Sequence, residues 1–456
     1  MRLRVGASAL LALASACAPP ATPPPVVAVT PNAAWRTASG PVAPLADGWW
    51  RAFGDPVLDG LVDRALVANP DLAIAAARVR EARAQERLAR AQLVPTLDAG
   101  VSGAEARTLS PFGTPSEGAS AQPVFQAAYE VDLFGRIADQ TRAAGLSVQA
   151  SEDARAAARL SIAAAVTTGY LTLRGLDARL AITRSAAADR AEALRIARNR
   201  SEAGYTSQLE LRQAEAEYRS ATQLVPQLEL AVSRQENALA VLLGETPRAL
   251  PRGLALSALA TPSQPAVLPS ELLRRRPDMA QAERTLAASD ATLSAARKQF
   301  LPQLRLSASA GAVVASALSA PVTVWSLGGS VLAPLFEGGR LRAGVEGAAA
   351  RRDQAAFAYQ RTVLTAFRET EDALAAVARL SQQLAETQAQ RNALAEALRH
   401  ARNRYEAGYT SYLEQLDAQR SLFAADTALV QQRTDLLNAY VALDQAAGGG
   451  WTELPR

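Results

Sequence analysis

Cys17 is the only cysteine of this 456-residue chain and His400 its only histidine. Thiolate zinc sites, disulfide frameworks and most imidazole catalysis are therefore excluded at once. Cys17 closes the stretch Leu13-Ala14-Ser15-Ala16-Cys17, behind Arg2, Arg4 and an apolar run from Val5 to Ala16 that is too short to anchor in a bilayer. The layout is that of an export signal, and the stretch resembles a bacterial lipobox, in which the cysteine becomes the acylated first residue of the mature chain. Ala14 stands where leucine is more usual, and the competing reading is a secretory peptide with an incidental cysteine. His400 lies in a charged helical stretch and is expected on the surface. No Walker-type glycine loop, nucleophile constellation or metal-spaced cluster is visible. No enzymatic activity, cofactor or metal is expected.

The elements that must position the remaining charged and polar residues come in pairs. Ala197 to Glu210 reads ARNRSEAGYTSQLE, and 204 residues later Ala401 to Glu414 reads ARNRYEAGYTSYLE, identical at 12 of 14 positions. Asn69-Pro70-Asp71 returns as Arg276-Pro277-Asp278, and QLVPTL from Gln92 returns as QFLPQL from Gln299, both at an offset of 207. Leu133-Phe134-Gly135-Arg136 returns as Leu335 to Arg340 with two residues inserted. A unit of about 200 residues is too long for a solenoid repeat and reads as a duplicated half of one fold.

Hydrophobic residues make up 49% of the chain and the mean hydropathy is -0.02. The balance is too apolar for disorder and too polar for a bundle of membrane-spanning helices. Lys298 is the sole lysine, and the net charge of +4 gives little reason to expect a nucleic-acid partner. Residues 18 to 44 are rich in Pro, Ala, Thr and Val with almost no charge, which suits an extended tether. Ala18 follows the cysteine; in Gram-negative lipoproteins an aspartate there favours inner-membrane retention, so the lipobox resemblance points to the outer membrane.

From Arg136 to about Ala203 there is no proline and the spacing is helical, which predicts one helix about 100 Å long. Gly204 is its expected left-handed cap, and Ser207 with Glu210 forms an S-x-x-E start for a returning helix to about Leu243. That helix covers little more than half of its partner, and Asp71 to Val94 supplies a second short helix for the remainder. The second copy repeats the sum with Leu341 to Ala407 against Asp278 to Phe300 and Tyr412 to Gln445. Leu416, Phe423, Val430 and Leu437 recur at strict sevens, the spacing of a coiled coil.

Two stretches change period. Phe125, Ala127, Tyr129, Val131 and Leu133 alternate with polar neighbours, and Trp325, Leu327, Val331, Ala333 and Leu335 do the same in the second copy. Leu97 to Arg107 and Leu304 to Val314 complete two hairpins. Each strand is long enough to cross a bilayer when tilted, yet four strands cannot close a membrane barrel, and an open edge in lipid leaves backbone groups unsatisfied. Several chains must share one barrel. A pair of ordinary soluble hairpins is the competing reading.

Two copies of helix, hairpin, long helix, tip turn and returning helix behind a lipoprotein signal resemble the TolC superfamily of outer-membrane efflux proteins, in its OprM- and NodT-like lipoprotein branch that serves RND efflux systems. The residues carrying the resemblance are the paired R-x-E-A-G-Y-T-S tips, the Leu-Phe-Gly-Arg strand exit, Leu272 to Asp278 and Tyr412 to Arg420. It implies a mainly α protomer with four strands, forming as a homotrimer a periplasmic α-barrel of coiled-coil helices and a 12-stranded outer-membrane β-barrel. It further implies a lipid-anchored channel that exports drugs, toxic compounds or metals, coupled to a periplasmic membrane-fusion adaptor and an inner-membrane RND or ABC transporter. A conduit for ABC-driven protein secretion and a scaffold without a pore remain as alternatives.

The positions matching the family's periplasmic constriction are Tyr405, Leu413, Asp417 and Arg420, against Ser201, Leu209, Gln213 and Ala216 in the first copy. Three Asp417 carboxylates would form a ring, with Leu413 an apolar constriction beside it; the plainer reading is an i,i+3 surface ion pair between Asp417 and Arg420. Gly204, Tyr205, Thr206 and Ser207 with Gly408, Tyr409, Thr410 and Ser411 are the expected adaptor contacts. The expected organisation is a signal at 1-16, a lipidated tether at 17-46, a first repeat at 47-250 with its hairpin at about 96-134, a linker at 251-270, a second repeat at 271-447 with its hairpin at about 303-336, and a tail at 448-456.

Overall fold

The computed structural model describes residues 23, 25, 29–37, 42–43, 47–109, 112–265 and 268–451. The expected signal and Cys17 lie outside the described residues. The helices are α1 (Pro56–Ala68), α2 (Pro70–Ala91), α3 (Arg136–Glu202), α4 (Gln208–Leu242), α5 (Pro269–Arg275), α6 (Pro277–Lys298), α7 (Arg340–Glu406) and α8 (Tyr412–Ala446). The strands of the main sheet are β1 (Thr96–Leu109), β2 (Pro115–Val131), β3 (Gln303–Ala315) and β4 (Val322–Leu332). The two copies match in length: α3 and α7 have 67 residues each, α4 and α8 have 35, and α2 and α6 have 22. Two compact units result, one built on residues 77–152 and 281–361, the other on 29–76, 153–280 and 362–456.

The first unit holds a four-stranded antiparallel sheet in the order β1-β2-β3-β4. The two hairpins are joined through β2 and β3, with Phe125 opposite Ala310 and Glu130 opposite Arg305. Because side chains alternate across a strand, this register sorts the sheet into two faces. One face carries Leu97, Val101, Phe125, Tyr129, Leu306, Trp325, Leu327 and Val331, and several of these are more than 60% exposed. Its uncharged rows run from Val131 to Ala121 on β2. The ten steps between them are about 33 Å of strand, or about 25 Å of thickness at a tilt near 40°, which is the height of a barrel's lipid-facing band. Beyond that band the same face turns charged, at Glu105 and the directly opposed pair Arg107 and Glu117, whose side chains meet at 3.1 Å. The alternation read in the sequence is therefore a membrane face, and soluble hairpins would not leave these side chains bare.

The second unit is organised around a buried cluster in which Trp49, Trp50, Phe53, Leu58 and Leu61 meet Tyr170, Leu171 and Leu173 of α3 and Leu437, Tyr440 and Val441 of α8. Asp55 is fully buried in it. Its carboxylate caps α1 by accepting from Val57 N at 2.9 Å, and also accepts from Tyr170 Oη at 2.6 Å and Leu254 N at 2.9 Å. A buried carboxylate with three donors is satisfied, and it fixes α1, α3 and the 251–254 segment to one another.

The repeat is visible in the chemistry of the short-helix junctions. Asn69 and Arg276 each precede a proline at the first helical position, are held extended by it, and end the helix before. Each then reaches the end of the returning helix of its own copy: Asn69 Nδ2 donates to Leu242 O at 2.8 Å, and Arg276 Nη1 to Ala446 O at 3.3 Å. After Ala446 the chain passes so close to α5 that a β-carbon on Gly448 would lie 1.9 Å from Arg275 O, which accounts for the glycine run there.

Part of the expected tether docks on α7. Trp35 packs on Phe367 with ring centroids 6.1 Å apart, and the Arg36 and Thr37 amides donate to the Glu371 carboxylate at 3.2 and 3.0 Å.

Asp444 on α8 is 5% exposed, and its carboxyl has no hydrogen-bond or ion-pair partner among the described residues. Burial alone pushes its carboxyl from an ordinary 3.8 up to about 8. The folded chain thus keeps a proton that the unfolded chain releases, so this contribution to stability is complete below pH 3.8 and is lost as pH rises toward 8. Asp444→Asn is expected to flatten the fall in thermal midpoint of the detergent-solubilised protein between pH 5 and pH 8, measured by tryptophan fluorescence.

Candidate functional site at the helical tips

The two tip turns are built alike. Gly204 and Gly408 both take φ of 77°, and each closes its long helix with a six-to-one bond, Tyr205 N to Arg200 O at 2.8 Å and Tyr409 N to Arg404 O at 2.9 Å. Ser207 Oγ accepts from Glu210 N at 3.3 Å, as the capping pattern predicts. The reciprocal half of the box is missing, because the Glu210 carboxylate turns away from its own helix start. In the second copy Ser411 makes no side-chain cap, and Thr410 Oγ1 donates to Glu414 instead. Gly204, Tyr205, Ser207, Gly408, Tyr409 and Ser411 are exposed, with the rings of Tyr205 and Tyr409 more than 80% bare. Thr206 and Thr410 are half-buried.

The copies diverge one turn back. In the second, Arg404 Nη1 donates to Glu414 Oε1 at 2.8 Å, a self-contained pair. Arg200 and Glu210 occupy the matching places in the first copy, yet Tyr405 stands between them. Its Oη donates to Glu210 Oε1 at 2.6 Å and accepts from Arg200 Nη1 at 3.0 Å, while the guanidinium lies 5.4 Å from the ring centroid. Burial first, and then the bond to Glu210, push the Tyr405 phenol up to about 12, so it stays a donor throughout the physiological range. Ser201, its counterpart, is too short to make any such bridge.

A second link between the copies sits deeper. Arg420 Nε donates to Glu217 Oε1 at 2.9 Å, and Arg420 Nη2 contacts the same oxygen. The other Glu217 oxygen lies 3.5 Å from Arg190 Nη1, which also donates to the Glu217 carbonyl at 3.2 Å. Glu217 and Arg190 are each 9% exposed at the side chain, whereas Arg420 is 54% exposed. Ala197, Ala214, Tyr412 and Leu416 pack around these polar links. Asp417 and Arg420 form no hydrogen bond or salt bridge: Arg420 is committed to Glu217, and the exposed Asp417 carboxylate acts on Arg420 only through its charge. Leu413 is 55% exposed and His400 lies on the surface.

Glu210, Glu217, Arg190 and Arg200 are the site residues that sequence reasoning missed. The signal was present on α4, where Glu210, Ala214, Glu217 and Ala221 follow the i, i+4, i+7, i+11 spacing of a packed stripe. An acid placed on such a stripe needs a buried cation opposite, and Arg190 occupies the corresponding stripe of α3 with Ala197. Removing either end has unequal consequences. Glu217→Ala strands Arg190 inside the bundle and is expected to loosen the tips by about 3–5 kcal/mol. Arg420→Ala removes a solvent-screened partner and should cost about 1 kcal/mol or less. Hydrogen exchange of peptides covering 187–222 and 400–425 reads the difference, with fast exchange in the first variant and near-native exchange in the second.

The model of the outer membrane efflux protein family matches residues 61–245 and again 268–449, once per copy. Outer membrane protein OprJ of Pseudomonas aeruginosa is 36% identical over 446 residues, covering 91% of this chain and 92% of that protein. The toluene efflux pump outer membrane protein TtgC of Pseudomonas putida is 35% identical over 428 residues, covering 91% and 88%. Among solved structures, the open state of the Neisseria gonorrhoeae MtrE outer membrane channel superposes with a TM-score of 0.84 at 30% identity, covering 95% of this chain and 98% of that one. A duplicated helical protomer with a four-stranded membrane face, matched along nearly its whole length to such channels, belongs to the outer membrane efflux protein family, and the chain is an outer-membrane efflux channel.

Proposed function

We propose that three copies of this chain close one 12-stranded barrel in the outer membrane, and that their helices enclose a periplasmic tunnel narrowed at its tips by Tyr405, Leu413, Asp417 and Arg420. The observation that carries the gate is the cross-copy bridging: Tyr405 to Arg200 and Glu210, and Arg420 to Glu217, tie the second copy's tip to the first. These are charge-assisted links between helices that would have to part for the tunnel to widen. Asp417, which forms no hydrogen bond or salt bridge, is exposed where three carboxylates would repel anions and gather cations.

The exposed tips, Gly204 to Ser207 and Gly408 to Ser411, are the surfaces a periplasmic adaptor would grip, with an inner-membrane RND or ABC transporter supplying the energy. Cargo would pass without chemical change. Relatives named for efflux of toluene, antibiotics and pyoverdine favour small molecules over polypeptides as cargo. Cys17 is the proposed acylation site. The proposed segmentation keeps the signal at 1-16, the tether at 17-46 and repeats at 47-250 and 271-447.

Asp417→Ala combined with Arg420→Ala removes the carboxylate ring and one of the two cross-copy links. Single-channel conductance in planar bilayers is expected to rise about twofold or more. Conductance equal to that of the parent protein would contradict the gate.

A further inference from the structure

We infer that Asp98 sets the charge preference of the membrane barrel, as a filter for small cations and cationic cargo separate from the helical tips. The inference rests on the closed-barrel reading, since it needs the polar face of the sheet to line a shared lumen.

The strand register puts Asp98, Gln126, Glu130, Arg305, Ser309 and Ser326 on the face opposite the apolar band. Three of these carry charge. Glu130 is neutralised twice, by Arg136 Nη2 at 2.6 Å and by its cross-strand neighbour Arg305 at 3.9 Å. The other strand charges, Glu105, Arg107 and Glu117, stand on the opposite face. Among the described residues, Asp98 is the one charged side chain of the polar face that is exposed with no hydrogen-bond or ion-pair partner for its carboxylate.

Its surroundings are neutral. Asp98 lies opposite Gln126, Gln126 opposite Ser309, and Ser309 opposite Ser326, the last two joined hydroxyl to hydroxyl at 2.8 Å. This row crosses the whole sheet four residues along β2 from the Glu130–Arg305 pair, about 13 Å away. Three chains would turn it into a belt of amides and hydroxyls bearing three carboxylates and no cation. A low-dielectric wall focuses such a field along the water-filled pore, raising cation and lowering anion concentration at that level.

Reversal potentials in a KCl gradient test this, on the Asp417→Ala, Arg420→Ala background so that the tips do not dominate. Asp98→Asn is expected to lower the potassium-to-chloride permeability ratio about twofold, and Asp98→Lys to reverse the preference. Asp98→Cys, modified in the inserted channel by a cationic or an anionic thiol reagent, should move the ratio in opposite directions and does not depend on the variant folding anew. A ratio unchanged by Asp98→Lys and by both reagents, in channels that are trimeric and conducting, would overturn the filter. Absence of trimers or of any conductance in the parent would instead overturn the barrel reading.

Discussion

Unsatisfied backbone at two strand edges is the constraint on which the rest of this protein depends. Each chain brings only four strands to the membrane, and the outer edges of β1 and β4 end the sheet with rows of amides and carbonyls that lipid cannot satisfy. The apolar face, about 25 Å tall, identifies lipid as the solvent there, because Phe125, Trp325 and Leu327 have nothing else to bury against. The edge of one chain must pair with the edge of the next. In the proposed shared barrel the pore is a property of the assembly, and any unpaired charge on the polar face recurs with the symmetry.

Duplication supplies the regularity, and a few substitutions supply the asymmetry. Both copies place an Arg and a Glu around the tip, at 200 and 210 and at 404 and 414. Where the second copy closes that pair on itself, the first has it opened by a tyrosine from the second. Glu217 and Arg190 have no charged counterparts at the matching places, Ser421 and Leu394. Each link between copies thus needs at least one residue that departed from the repeat, Tyr405 in the first and Arg420, Glu217 and Arg190 in the second, while the glycine-closed turns that kept to it remain exposed. This construction suits the proposed gate, since charge-assisted bonds are directional and can be exchanged for water.

Much of this was legible in the residues. The long helices follow from uninterrupted helical spacing and end within two residues of Gly204 and Gly408, because a left-handed cap has few substitutes for glycine. The strands follow from period-two alternation, and their membrane role from strand length and count. What the sequence hid was pairing between distant charges. Arg420 has an acid three residues before it and an acid 203 residues before it, and spacing favours the first. Packing chooses the second, because Glu217 is buried beside Arg190 and needs compensation while Asp417 is exposed to solvent. The half-made capping box has the same cause: Glu210 finds a better partner in the Tyr405 hydroxyl than in its own helix start.

Native mass spectrometry of the full chain released from detergent, combined with hydrogen exchange at β1 and β4, tests the shared barrel most directly. The expected result is a species of three chains with the amides of both edge strands protected. A conducting preparation containing only monomers or dimers, or edge amides that exchange freely in the inserted channel, would contradict it.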